Sequence, residues 1–142
     1  MSFFYIGDDA TFEHGEHDDD VMLVVAGGEI DFAASPRLRE RIADDIDAGR
    51  RRLLLDLSKA TFIDSTAVGV LVGAVLSLHE HGGGSLGVVC GEENVRVLRI
   101  FEIAGVESVI ALYRSREEAL AALATVGAVR APVEPVATGR GD

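Results

Sequence analysis

Cysteine is almost absent from this chain, with Cys90 the single one in 142 residues, so no intrachain disulfide can form. That suits a reducing cytoplasm. Cys90 closes a predicted strand and reads as a small buried thiol. Basic residues are also scarce: 13 Lys and Arg stand against 24 Asp and Glu, a net charge of −11. Such a chain is repelled by nucleic-acid backbones and by anionic membranes, so proteins or small molecules are the expected partners. Long hydrophobic runs are missing. The longest, residues 67–76, is far below the roughly 20 residues a membrane helix needs. No N-terminal segment has the charged-then-apolar pattern of a secretion signal. These absences predict a cytoplasmic protein with no membrane and no nucleic-acid role.

What remains is a composition that folds. Hydrophobic residues make up 48% of the chain, and its length fits one domain with a real core. Strands are read over residues 21–26, 53–57 and 86–90, with a short one at 109–112, while 3–6 and 10–13 read as short strands or an N-terminal extension. Gly27-Gly28 is read as ending the first of these, and residues 14–20 as a polar, acidic stretch. Ser35-Pro36 reads as a helix start, with Ser35 as cap and Pro36 at the first helical position, followed by an apolar stripe at Leu38, Ile42 and Ile46 and a stop at Gly49. Further helices are predicted over 65–81, over 92–104 up to Gly105, and after Ser115. Two of the three prolines fall after Gly127, and 127–142 is read as a disordered tail. Alternating strands and helices imply an α/β layer with a largely parallel sheet.

One segment stands apart. Asp64-Ser65-Thr66-Ala67-Val68-Gly69 follows a strand and opens a helix. A hydroxyl there sits where backbone N–H groups point outward and the helix dipole favours negative charge. It can cap the helix or carry a phosphate. Gly28-Glu29-Ile30-Asp31 also follows a strand directly. A third pattern, residues 95–110, carries Leu98, Phe101, Gly105 and Val109.

These three segments, in this order, resemble the STAS family, the domain of anti-sigma factor antagonists and sulfate transporters. The first resembles the antagonists' Asp-Ser-Ser/Thr-Gly-Leu-Gly phosphorylation loop, the second their Gly-Glu-Leu-Asp, the third their last helix and strand. The resemblance covers roughly residues 20–125. It implies a STAS fold over residues 1–126, with 1–20 as an N-terminal extension: a small mixed, mostly parallel sheet with helices packed mainly on one face. It implies Ser65 as phospho-acceptor, Thr66 as the weaker candidate, and Asp31 in a loop near that site. Its partners would be an anti-sigma factor acting as serine kinase and a PP2C-type phosphatase that resets the switch. Ala67 stands where the family commonly has glycine.

The helix after Ser65 is apolar almost all round. At 100° per residue, Val68, Leu71, Val72, Val75 and His79 share a face assigned to the core. Gly69, Gly73, Ser77 and Glu80 share the opposite face, flanked by Val70 and Leu76. Two readings stand: another helix of the domain packs there, or a partner protein does. The partner surface is accordingly drawn through Asp31, Asp64, Ser65, Thr66, Gly69, Gly73, Leu76 and Ser77. An alternative role is a module sensing a nucleotide or small anion at the Ser65 helix N-terminus.

Other chemistries are set aside. A receiver domain needs an acidic pair after its first strand, whereas Asp18-Asp19-Asp20 precede one. His14 and His17 have no second cluster with which to hold a metal. Gly82-Gly83-Gly84 lacks the lysine and spacing of a phosphate loop, and no Cys/His pair suggests a nucleophile. Arg50-Arg51-Arg52 reads as a solvated turn. No cofactor, metal or catalysis by the chain itself is expected.

Overall fold

Strand β3 (Val21–Ile30) organises the molecule, because its apolar run can be buried on both faces only inside a layered sheet. The computed structural model describes residues 2–5, 10–17 and 21–126; the tail expected over 127–142 lies outside the described residues. The remaining elements are β1 (Ser2–Tyr5), β2 (Ala10–His17), α1 (Ser35–Asp47), β4 (Arg52–Asp56), β5 (Ala60–Ile63), α2 (Ser65–Glu80), β6 (Ser85–Val89), α3 (Val95–Ala104), β7 (Ala111–Tyr113) and α4 (Arg116–Val126). They form one mixed seven-stranded sheet in the order β1-β2-β3-β4-β6-β7, with β5 paired to β3. The β1–β2 and β2–β3 pairs are antiparallel. All others are parallel. The mostly parallel sheet expected from the sequence is therefore present.

The period-2 alternation of β3 sorts its side chains between two cores. Met22, Val24 and Ala26 face a core completed by Leu38, Ile42 and Ile46 of α1, Val68, Leu71 and Leu78 of α2, and Val97 and Phe101 of α3. Val21, Leu23 and Val25 face Ala119 and Leu123 of α4 on the other side. Among the described residues three helices thus cover one face and one covers the other. Full burial of side chains such as Phe101 and Leu71 contributes roughly 1.5–3 kcal/mol each.

Several local expectations change. Gly27-Gly28 does not end β3. Gly28 has φ +80°, and the β3–β5 register shifts between Gly28 and Glu29. The glycine supplies a bulge where β3 leaves β4 and takes up β5. Residues 14–17 of the polar, acidic stretch belong to β2 and pair with residues 21–24. Helix α3 starts at Val95 rather than 92, since Gly91 O accepts from Asn94 N in a turn. Strand β7 begins at Ala111 rather than 109, because Val109 and Ile110 donate back to Val106 O. Ser35 is the first helical residue, not the cap: its hydroxyl donates to Asp31 O at 2.8 Å and its side chain is buried. Nor is the arginine run simply solvated. Arg51 donates to Ile46 O (2.9 Å) in the last turn of α1 and to Arg50 O (2.8 Å) in the loop after it.

A charged clamp joins the sheet to α4. Asp56 is 3% exposed at the carboxyl end of β4. Arg116 donates to its Oδ2 from Nε (3.0 Å) and Nη2 (2.8 Å). Ser58 donates to Oδ1 through its amide (2.9 Å) and its hydroxyl. Burial pushes the Asp56 carboxyl up, but the Ser58 hydrogen bonds and then the Arg116 guanidinium outweigh it, so its pKa lies below the ordinary value. A depressed carboxylate stabilises the fold above its unfolded pKa, and that stability is lost as pH falls through the folded value. Arg116→Leu is therefore expected to cost about 1–2 kcal/mol at neutral pH, discounted because the arginine side chain is 42% exposed. The acid limb of stability should move to higher pH. Urea midpoints measured from about pH 3 to pH 7 check both effects. An unchanged acid limb would show that the pair carries no linked protonation.

Candidate functional site

The site is built at the carboxyl ends of β3 and β5, where α/β proteins place their functional loops. Ile30 and Ile63 are register partners, so Asp31 and Asp64 leave the sheet side by side. Both carboxylates are engaged locally. Asp31 Oδ1 accepts from the amides of Ala33 and Ala34, each at 3.1 Å, which holds the β3–α1 turn. Asp64 is the N-cap of α2, extended at φ −122° and ψ −178°, and its Oδ1 accepts from Ala67 N at 3.1 Å.

That assignment answers one of the two questions raised at Ser65, the capping of α2. The cap is Asp64, and Ser65 is the first helical residue. Ser65 and Thr66 are both exposed. Among the described residues the Ser65 hydroxyl has no hydrogen-bond partner, so it is free for other chemistry.

Along α2, Ser65, Gly69, Gly73, Leu76 and Glu80 fall on one outward face. Leu76 is 60% exposed, and both glycines are exposed. The inward face differs from the one expected: it consists of Ala67, Val68, Val70, Leu71, Ala74 and Leu78. Val72 and Val75 pack only partly against the core, and His79 is exposed. Periodicity does not fix this face, because so many positions of α2 are apolar that no single phase stands out. Val70 and Ala74 face α1, and with Gly69, Gly73 and Ser77 they border a groove of about 200 Å³ whose other wall is Arg39, Ile42, Ala43 and Ile46. Helix α1 therefore flanks the glycine face without covering it. A Cβ added at Gly69 or Gly73 would meet no atom within 4 Å. Each interior glycine costs about 1 kcal/mol relative to alanine, and nothing inside the fold requires either.

One residue beside the site escaped the sequence reading. Phe32, in the turn held by Asp31, is 72% exposed. Its only sequence signal is an aromatic residue in a turn, off the phase of any strand or helix. Cys90, in contrast, is buried, which pushes its thiol up to about 11. It is not an activated thiolate. No group of three His, Cys, Asp or Glu side chains among the described residues could hold a metal ion, and no described helix is long and apolar enough to cross a membrane.

Fold and site together define a small α/β domain with a helical layer on one face of a mixed sheet and an uncovered hydroxyl at the start of its central helix. Comparison with known proteins gives the class its name. The sequence model of the STAS domain matches residues 15–119; the chain belongs to that family. It is 33% identical over 100 residues to an anti-sigma-B factor antagonist of Listeria monocytogenes, covering 70% of this chain and 85% of that protein. It is 33% identical over 97 residues to the anti-sigma-B factor antagonist of Bacillus subtilis, covering 67% of this chain and 83% of the relative. Its fold is similar to the crystal structure of an anti-sigma factor antagonist from Mycobacterium paratuberculosis, with TM-score 0.69, 27% identity, and coverage of 84% and 97% of the two chains.

Proposed function

We propose that this protein is an anti-sigma factor antagonist whose α2 face binds an anti-sigma factor and so frees a sigma factor, and that phosphorylation of Ser65 breaks the complex. It acts by binding, not by catalysis. The anti-sigma factor supplies the serine kinase activity, and a PP2C-type phosphatase resets the switch. The observation that carries this reading is the division of labour at the start of α2. Asp64 does the capping, which leaves the Ser65 hydroxyl exposed and unpartnered. A phosphate there adds about −1.5 to −2 charges at a helix N-terminus, which favours negative charge. The fold is preserved while the binding face gains negative charge and bulk.

The alternative, a nucleotide or small-anion sensor, has less support. A free anion would share the helix N-terminus with the Asp64 carboxylate, which already holds Ala67 N. A covalent phosphate on an outward hydroxyl need not displace it.

The test is intact mass after incubating the protein with its anti-sigma factor and ATP, beside Ser65→Ala. One added phosphate on the wild type and none on the variant is the expected result. Phosphate on both would move the acceptor to Thr66 or elsewhere. No phosphate on either, with a kinase active on another substrate, would overturn the switch.

A further inference from the structure

Helix α3 presents a second face that neither its own fold nor the Ser65 surface uses. At 100° per residue, Val95, Arg99 and Ile103 fall within an arc of about 80°, with Arg96 at its edge. Val95 is 65% exposed and Ile103 74% exposed, while Val97 and Phe101 on the inward face are fully buried. A single exposed aliphatic residue needs no explanation. Here two are aligned and interleaved with two guanidinium groups. Neither Arg96 nor Arg99 reaches a carboxylate within ion-pair distance among the described residues. The one acid on the same helix is Glu102, at the far edge of the stripe. In a chain of net charge −11, two neighbouring arginines with no carboxylate partner among the described residues stand out.

The stripe continues toward the Ser65 site. Arg96 borders a shallow notch of about 280 Å³ with Glu29, Thr61 and the half-exposed Phe62. Asn94 Nδ2 donates to Ala60 O at 2.7 Å, which ties the start of α3 to β5. Strand β5 runs directly into Asp64 and Ser65. A protein covering Ser65 therefore has the notch and the α3 stripe within its reach.

We propose that the α3 stripe docks an acidic, aliphatic segment of the same anti-sigma factor that the α2 face binds. The inference rests on that functional reading and adds the chemistry of the partner. Carboxylates of the segment pair with Arg96 and Arg99, for which guanidinium forks are suited. Its aliphatic side chains cover Val95 and Ile103 and fill the notch over Phe62, where Glu29 disfavours an acid. An anionic membrane is the other surface such a stripe could meet, but the net charge opposes it.

The test is calorimetric titration of the purified anti-sigma factor with the full chain, at salt concentrations of about 0.1 and 0.5 M. Wild type is compared with Arg96→Glu/Arg99→Glu and with the milder Arg96→Gln/Arg99→Gln, each checked for an unchanged melting midpoint. The charge reversal is expected to weaken binding by about 30-fold or more, the neutral pair less, and both to flatten the salt dependence. Wild-type affinity in both variants, while Ser65→Asp loses binding, would overturn the α3 face and leave the functional reading standing. No binding by wild type would overturn both. Wild-type sedimentation with phosphatidylserine vesicles, lost in the charge reversal, would overturn the proposal in favour of a membrane surface.

Discussion

Ser65→Asp is expected to lose at least about 100-fold in affinity for the anti-sigma factor, with its urea midpoint close to that of the wild type. A loss of that size corresponds to about 2.7 kcal/mol, within the several kcal/mol that an unpaired charge costs when an interface closes over it. The fold should hardly respond. An acid in the first turn of a helix gains about 0.3–1 kcal/mol from the dipole, and Asp64 beside it takes part of that back. Ser65→Ala should bind like unphosphorylated wild type and unfold like it, because the cap belongs to Asp64. Asp64→Ala, in contrast, should cost about 1 kcal/mol as a cap deletion. Calorimetric titration and urea unfolding of the three variants separate these effects. Equal binding by Ser65→Asp and Ser65→Ala would remove Ser65 from the switch. A drop in stability for Ser65→Ala as large as for Asp64→Ala would mean that the serine shares the cap after all.

That division between Asp64 and Ser65 was not legible in the sequence. Both side chains are good caps, and which one adopts the extended backbone is settled by where β5 ends. Strand β5 itself was not read, since four residues are too few for periodicity to show and its one partner stretch lies beyond a bulge in β3. The bulge at Gly28 looks like a strand end for the same reason: glycine signals both, and only the neighbouring strand tells them apart. What could be read was whatever repeats over many residues or carries a strong stop. The α1 stripe at Leu38, Ile42 and Ile46 is buried as expected, and Gly105 ends α3 in the left-handed region at φ +66°. The order of strands and helices was enough for an α/β layer, and the motifs around Asp31 and Ser65 for the family. Phe32 and the α3 stripe were out of reach, because an exposed apolar residue looks like any other until the core is known.

Gly73→Leu should move stability and binding in opposite directions. In the free protein the substitution adds a good helix former to an exposed helix interior, worth up to about 1 kcal/mol. Outside its own helix turn the new Cβ meets no atom within 4 Å, so the branch point of the leucine enters open space. Binding is another matter. If a partner backbone approaches the smooth face formed by Gly69 and Gly73, a leucine there holds it off by the width of a side chain. Overpacked contacts of this kind cost about 1–3 kcal/mol, and neighbouring contacts over Ser65 and Leu76 are lost with them, so a fall of about 100-fold or more is expected. Gly84 supplies the contrast. It has φ +158°, and its Cβ would lie 2.5 Å from Arg51 O. Gly84→Ala should therefore lower the urea midpoint and leave the affinity of the folded fraction unchanged. Gly84 is required by the chain itself, and the proposed role of Gly73 is toward the partner. Urea unfolding and calorimetric titration of both variants show which is which. A Gly73→Leu protein that is more stable and still binds as tightly as wild type would place the partner elsewhere on the surface. One that is less stable would mean that the face is covered by the chain's own residues.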